Sequence, residues 1–238
     1  MNPFKVTRES RDSDKHPESI AIGLILDETG SMQNTPREAQ KALPKLMTAL
    51  IEGGVKDPQV LFGACGDTAN GEVASCQIGQ FESGLEMEDD LGRMYMEGKG
   101  GGSNQESYQN AIYFFARHTS IDCFEKRGRK GYLFIVGDEH AYDVVRSREV
   151  EKLFGDTLQA DIPLADIVAE CQAKYDIYFV IPAHTHHGSD SSLFNYWEKL
   201  LGKGKVLRIS DASQICEAVV GAVTGNAPSL ADEKNVRL

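Results

Sequence analysis

The chain has 238 residues, 41% hydrophobic and 26% charged, with a formal net charge of −11. It is long enough to bury a core without disulfide help, and its acidity argues against a sequence-independent grip on nucleic acid, which needs a basic face. No segment reaches the ~20 apolar residues of a membrane-spanning helix. Residues 1–18 are polar, carry mixed charge and lack the apolar stretch of a signal peptide, so they read as an arm that orders only against another surface. The five cysteines, Cys65, Cys76, Cys123, Cys171 and Cys216, are odd in number and form no C-x-x-C pair. Buried free thiols and a cytoplasmic location are the expectation.

In chain order, "IAIGLIL" (20–26) is apolar on both faces, as an interior strand of a parallel sheet must be. A helix follows, with Thr35 as cap, Pro36 at the first helical position and apolar residues at Ala39, Leu43, Leu46, Met47 and Leu50; Gly53 and Gly54 stop it. "QVLFGACGD" (59–67) is a second strand, and "ASCQIGQF" (74–81) a third. The turn "TANGE" between them is too short for a crossover helix, so this pair is predicted to be antiparallel. "GLEMEDDLGRMYMEG" reads as a short acidic helix, and the glycine-rich "GKGGGSNQES" opens another helix at about Gln105. Strands at 131–139, 175–183 and "KVLRIS" alternate with helices at 164–174 and 191–201, and "DASQICEAVVGAVTG" closes the domain with Asp211 as N-cap. Residues 226–238 read as a tail. The alternation predicts one α/β domain over 19–225: a doubly wound, Rossmann-like, mostly parallel six-stranded sheet with one antiparallel edge strand and helices on both faces. In such sheets ligands bind at the carboxyl ends of the strands, where the strand order reverses.

The first strand ends at that kind of place, in "DETGS". Asp27, Thr29 and Ser31 offer oxygen at every second position, and oxygen-only sites suit hard divalent cations. Two further strand ends add candidates: Ser103 or Asn104 from the glycine loop, and Asp138 from "IVGDEH". Because hydroxyls are neutral ligands, a site with few carboxylates leaves its ion electrophilic.

"DETGS" resembles the D-x-S/T-x-S motif of von Willebrand factor A (vWA) domains, the metal-ion-dependent adhesion site (MIDAS). "GGGSNQES" resembles the G-G-G-D-x-P-E loop of the bacterial branch, "IVGDE" resembles the third metal loop, and the segment from "IYFVIPAHTHH" to "CEAVVGAV" is similar to the family's last strands and helices. The resemblance spans roughly 20–224. It implies that Thr29 and Ser31 bind Mg²⁺ (or Mn²⁺ or Ca²⁺) by their hydroxyls, and that Asp27 and Asp138 bind the ion or hold its waters. Ser103 fills the second loop, where the family carries threonine or aspartate. It further implies an interaction module rather than a catalyst: another protein supplies a carboxylate to the open coordination position, with neither nucleic acid nor membrane as partner. Asn104, Gln105, His140, His184 and His186 then form the rim that meets that partner.

Plainer readings stand beside these. Asp27 to Ser31 is also compatible with a turn satisfied by its own side chains, and "GKGGGS" lacks the Walker spacing of a phosphate loop. "HTHHGSD" (184–190) resembles a zinc-hydrolase pattern with its acid misplaced, so a polar loop at the sheet edge is the stronger expectation. "EKRGRK" (125–130) reads as a solvated loop. The rival from another class is a haloacid dehalogenase-like phosphohydrolase, with Asp27 as nucleophile and Asp138 and Asp143 holding Mg²⁺. Against it, Thr29 stands where the second aspartate belongs, no lysine ends an intervening strand, and two strands follow the last motif.

Overall fold

In the computed structural model, which describes residues 1–84, 86–96 and 104–225, six strands form one sheet: β1 (Ile20–Asp27), β2 (Pro58–Cys65), β3 (Cys76–Ile78), β4 (Gly131–Val136), β5 (Tyr175–Pro182) and β6 (Val206–Ile209). Their order across the sheet is β6-β5-β4-β1-β2-β3. Every neighbouring pair is parallel except β2 with β3, the antiparallel edge that the short "TANGE" turn demands. β1 is hydrogen-bonded on both sides, with Asp27 opposite Cys65 of β2 and Leu26 opposite Val136 of β4. A strand between two others and beneath helices has no wet face, and all eight of its residues are buried.

Helices flank this sheet. The helix predicted to run to Leu50 is instead divided into α1 (Thr35–Ala42), a 3₁₀ turn (Leu43–Lys45) and α2 (Leu46–Glu52). Pro44 lies within that turn; it has no N–H to continue the i→i−4 ladder, and its ring clashes with the preceding turn. Thr35 is not the cap either. It is the first helical residue, after Asn34, and its hydroxyl lies 3.0 Å from His184 Nε2. The helix predicted to open at about Gln105 starts later, at Tyr108 (α4, Tyr108–Arg117), because Gln105–Glu106 is extended and pairs in parallel with His140–Ala141. α3 (Glu86–Arg93) is the short acidic helix, α5 (Asp122–Glu125) a single turn, and α6 (Ser147–Phe154) has no counterpart in the reading of the sequence. α7 (Leu164–Lys174) and α8 (Ser191–Leu201) fall at their predicted positions. Asp190 caps α8 by accepting from Ser192 N–H at 2.7 Å. Asp211 caps a 3₁₀ turn (Ala212–Gln214) that leads into α9 (Ile215–Thr224).

The N-terminal arm orders against the domain itself. Arg8–Ser10 pairs in parallel with Thr119–Ile121. The stretch 125–130 is not merely solvated, because Arg127 donates to Asp12 and to the Ser19 carbonyl, both at 2.6 Å, and ties the arm to the amino end of β1. The five cysteines are free thiols, and Cys65, Cys76, Cys123 and Cys171 are buried. Among the described residues no helix is long and apolar enough to cross a membrane. The expected tail, 226–238, lies outside the described residues.

Candidate metal centre at the carboxyl edge

β1 delivers Asp27 to the carboxyl edge, and the chain turns through Thr29 into a 3₁₀ turn (Gly30–Met32). Asp27 Oδ1 accepts from the Thr29 N–H at 2.9 Å and from the Thr29 hydroxyl at 2.6 Å, a local turn that aspartate favours. Its Oδ2 accepts from the Tyr108 hydroxyl. Across the edge, Ser31 donates to Asp138 Oδ1 at 2.7 Å, and the His187 N–H donates to Asp138 Oδ2 at 3.1 Å. Thr29 Oγ1 and Ser31 Oγ lie 3.2 Å apart. Asp27, Thr29, Ser31 and Asp138 therefore form one continuous chain of oxygens drawn from the loops after β1 and β4.

The protons in that chain are informative. Each hydroxyl has one. With the Thr29 proton on Asp27 and the Ser31 proton on Asp138, the two hydroxyl oxygens face each other through lone pairs. Both carboxylates are fully buried, and the donors they meet are hydroxyls and backbone amides, all neutral. Buried carboxylates without a counter-charge are costly. Burial pushes the Asp27 carboxyl well above its usual range; bonds from Thr29 and Tyr108 oppose this, and the charge of Asp138 adds to it. The donor set fits a hard divalent cation: two carboxylates and two hydroxyls, with no sulfur or imidazole. Among the described residues no three His, Cys, Asp or Glu side chains are placed to hold a metal, so the hydroxyls are indispensable to any cation site here.

Of the other predicted residues, Ser103 lies outside the described residues. Asn104 is exposed, has a left-handed backbone (φ 56°) and lines a cavity of about 80 Å³ with Asp138, Glu139, His140 and His187. Gln105 pairs with His140 through the backbone, and the His140 ring packs against Tyr196 at 4.5 Å. The rim is only partly as expected. His184 uses one ring nitrogen on Thr35 and the other on the Ser210 carbonyl, at 3.0 and 2.9 Å, so it fastens loops together. His186 is exposed, and its N–H donates to the Ser31 carbonyl at 3.2 Å, which binds the histidine loop to the loop after β1. Asp190 is spent on capping α8.

Several residues here escaped the reading of the sequence. Tyr108 holds Asp27 from α4, and Gly137 makes that possible, because a Cβ at Gly137 would lie 2.3 Å from the Tyr108 hydroxyl. The single tryptophan, Trp197, donates to the Glu139 carbonyl at 3.0 Å and stacks on Phe179 at 3.9 Å, which fixes the third loop from below. The glycine immediately before Asp138 was the available signal for the first contact. Glu139 is 8% exposed, and burial, then the neighbouring Asp138, push its carboxyl up to about 7. Asp67, also buried, accepts from the Tyr142 hydroxyl and the Ala69 N–H, each at 3.1 Å. The carboxyl edge is thus acidic well beyond the predicted ligands.

The chain matches no family model and no curated protein. It does share its fold with solved structures. The pilus adhesin SpaC from Lactobacillus rhamnosus GG, in an open conformation, superposes with a TM-score of 0.55 at 10% identity over 93% of this chain and 30% of that one. Proximal thread matrix protein 1 from the mussel byssus gives 0.54 at 11% identity over 87% of this chain and 47% of that one. The chain spans less than half the length of either structure, and at these identities the likeness concerns the fold alone.

Proposed function

We propose that this chain is a doubly wound vWA-type module whose carboxyl-edge loops hold one divalent cation, Mg²⁺ or Mn²⁺, and through it a carboxylate of a partner protein. The observation that carries the reading is the oxygen chain Asp27–Thr29–Ser31–Asp138, in which two fully buried carboxylates meet only neutral donors. The strand order supports it: β2 and β3 run to one side of β1, and β4, β5 and β6 to the other, so the order reverses beside Asp27. Asp27, Thr29, Ser31 and Asp138 would hold the ion, with Ser103 or Asn104 from the second loop. The ion would supply the missing positive charge and an electrophilic position for an acidic side chain. Asn104, His140 and His186 would border that position.

The phosphohydrolase reading shares Asp27 and Asp138 with this one but also needs Asp143 as a metal ligand. Asp143 is exposed, unlike the buried Asp27 and Asp138. Titration of Mn²⁺ into the wild-type chain and Asp27→Ala, followed by the loss of the free-ion electron paramagnetic resonance signal, tests the proposal. One bound ion in the wild type and none in the variant is the expected result, and identical curves would remove Asp27 from the site.

A further inference from the structure

We propose that Cys65 and Cys76 are a disulfide-forming pair, a modification site at the outer edge of the sheet that closes by exchange with a small disulfide. The pair is independent of the cation reading. β2 and β3 are antiparallel, and their register sets Cys65 directly opposite Cys76. Around it the ladder is closed by the Gly66 N–H on the Ser75 carbonyl at 3.0 Å and by the Gly79 N–H on the Phe62 carbonyl at 2.9 Å. Hydrogen-bonded and non-hydrogen-bonded positions alternate along an antiparallel ladder. With Gly66 and Ser75 a hydrogen-bonded pair, Cys65 and Cys76 fall at the next, non-hydrogen-bonded position. Opposed Cα atoms there approach to about 4.5 Å, within the range of about 4.4–6.8 Å that a disulfide accepts. Residues opposite one another also share a face of the sheet, and here that face is buried, with Cys65 1% and Cys76 6% exposed. The other three cysteines lie on three separate helices, α5, α7 and α9.

The reagent is a low-molecular-weight disulfide such as oxidised glutathione. One cysteine, as its thiolate, attacks a sulfur of the reagent and releases one small thiolate. The second cysteine then attacks the mixed disulfide at the protein sulfur and releases the other. The two protons given up by the cysteines end on the two small thiols, and the two electrons lost by the protein reduce the reagent. Burial pushes the Cys65 thiol well up and the Cys76 thiol up to about 12, so both exchange slowly while the sheet is closed. The bond therefore forms as the chain folds or when the edge strand opens. β3 is three residues long and ends the strand order, and Val73 just before it is 89% exposed, which suits this edge to local opening. Once formed, the bond restrains residues 66–75 and the end of β2. There Cys65 stands opposite Asp27, and its carbonyl accepts from the Glu28 N–H at 3.0 Å.

The test refolds the full chain from urea in a mixture of reduced and oxidised glutathione, alkylates it in urea and digests it with trypsin. No lysine or arginine lies between Asp57 and Arg93, so both cysteines fall in one peptide, while Cys123, Cys171 and Cys216 fall in others. The expected result is a 57–93 peptide that carries no alkyl group and is lighter than its dithiol form by two hydrogens, with the other three cysteines alkylated. The oxidised protein should melt roughly 5–10 °C above the same protein after reduction, because the bond restricts the unfolded chain. Cys76→Ala should show no such gap; should that variant fail to fold, the reduced wild type supplies the comparison. Two alkylated thiols in the 57–93 peptide of refolded protein, or a bond from either cysteine to Cys123, Cys171 or Cys216, would overturn the inference. So would a 57–93 bond that lowers the melting temperature, since a bond made in the native register leaves the strands where they are.

Discussion

The two ends of the sheet treat their acids in opposite ways. At the amino end Asp12, Asp122 and Glu125 are each paired with a cation. Arg11 reaches Asp122 and Glu125 at 2.9 Å, Lys126 reaches Asp122 at 2.7 Å, and Arg127 reaches Asp12 at 2.6 Å. Arg127 holds Asp12 well below the usual carboxylate range; burial would raise Asp122, but Lys126, the Asp12 N–H and Arg11 outweigh it. At the carboxyl end Asp27, Glu106 and Glu139 are all pushed up, by burial and then by one another's neighbours. A chain with 25 lysines and arginines does not lack cations. It places them where they anchor the arm, and Asp27 and Asp138 meet neutral donors instead. The difference separates acids that hold the fold together from buried acids that meet only neutral donors, and the proposed function assigns the second kind to a ligand.

The largest effect expected from this contrast is stabilisation by metal. Mg²⁺ or Mn²⁺ at a hundredfold excess over its Kd should add about 2.7 kcal/mol to stability, or roughly 5–10 °C in Tm for a domain of this size. Calorimetry with and without chelator measures it. Next is the base: Arg127→Ala strips Asp12 and the Ser19 carbonyl of a charged donor and should cost about 1–3 kcal/mol in urea unfolding. The metal increment should survive in that variant, because the two ends are independent; a lost increment would break the comparison. Third, Ser103→Asp should tighten Mn²⁺ binding on the order of tenfold by adding a charged ligand, and weaken a partner's carboxylate by the same charge. If only Asn104→Ala changes Mn²⁺ affinity, Asn104 is the ligand of the second loop.

The smallest effect is the acid limb of the base. A carboxyl with a lowered folded pKa contributes stability that is present above its unfolded value, ~4, and lost as pH falls through the folded value. The stability difference between wild type and Arg127→Ala should therefore be full at neutral pH and narrow below about pH 4. A difference that stays constant down to pH 2 would show that the ion pair is not its source.

The contacts at this edge were legible in the sequence in proportion to how local each one is. β1 was legible because a strand bonded on both sides must be apolar throughout, and Asp27, Thr29 and Ser31 because they build a turn among themselves. Asp138 was singled out by its place at a strand end, and it accepts from Ser31. Glu106 was read as part of a helix start, whereas it is extended and pairs with Ala141, a partner 35 positions later. Tyr108 and Trp197 read as ordinary core aromatics, which they also are. Thr35 had every credential of a cap, but His184, 149 positions later, took its hydroxyl. Pro44 was visible and its effect on the helix was underweighted, since the apolar spacing continued straight through it.

The most direct test of the central claim is a crystal soaked in Mn²⁺ and measured at the manganese absorption edge. A single anomalous peak is expected at the carboxyl edge, within bonding distance of the Thr29 or Ser31 hydroxyl and beside Asp27 and Asp138. A peak elsewhere, or none in crystals whose solution counterpart binds Mn²⁺, would contradict it.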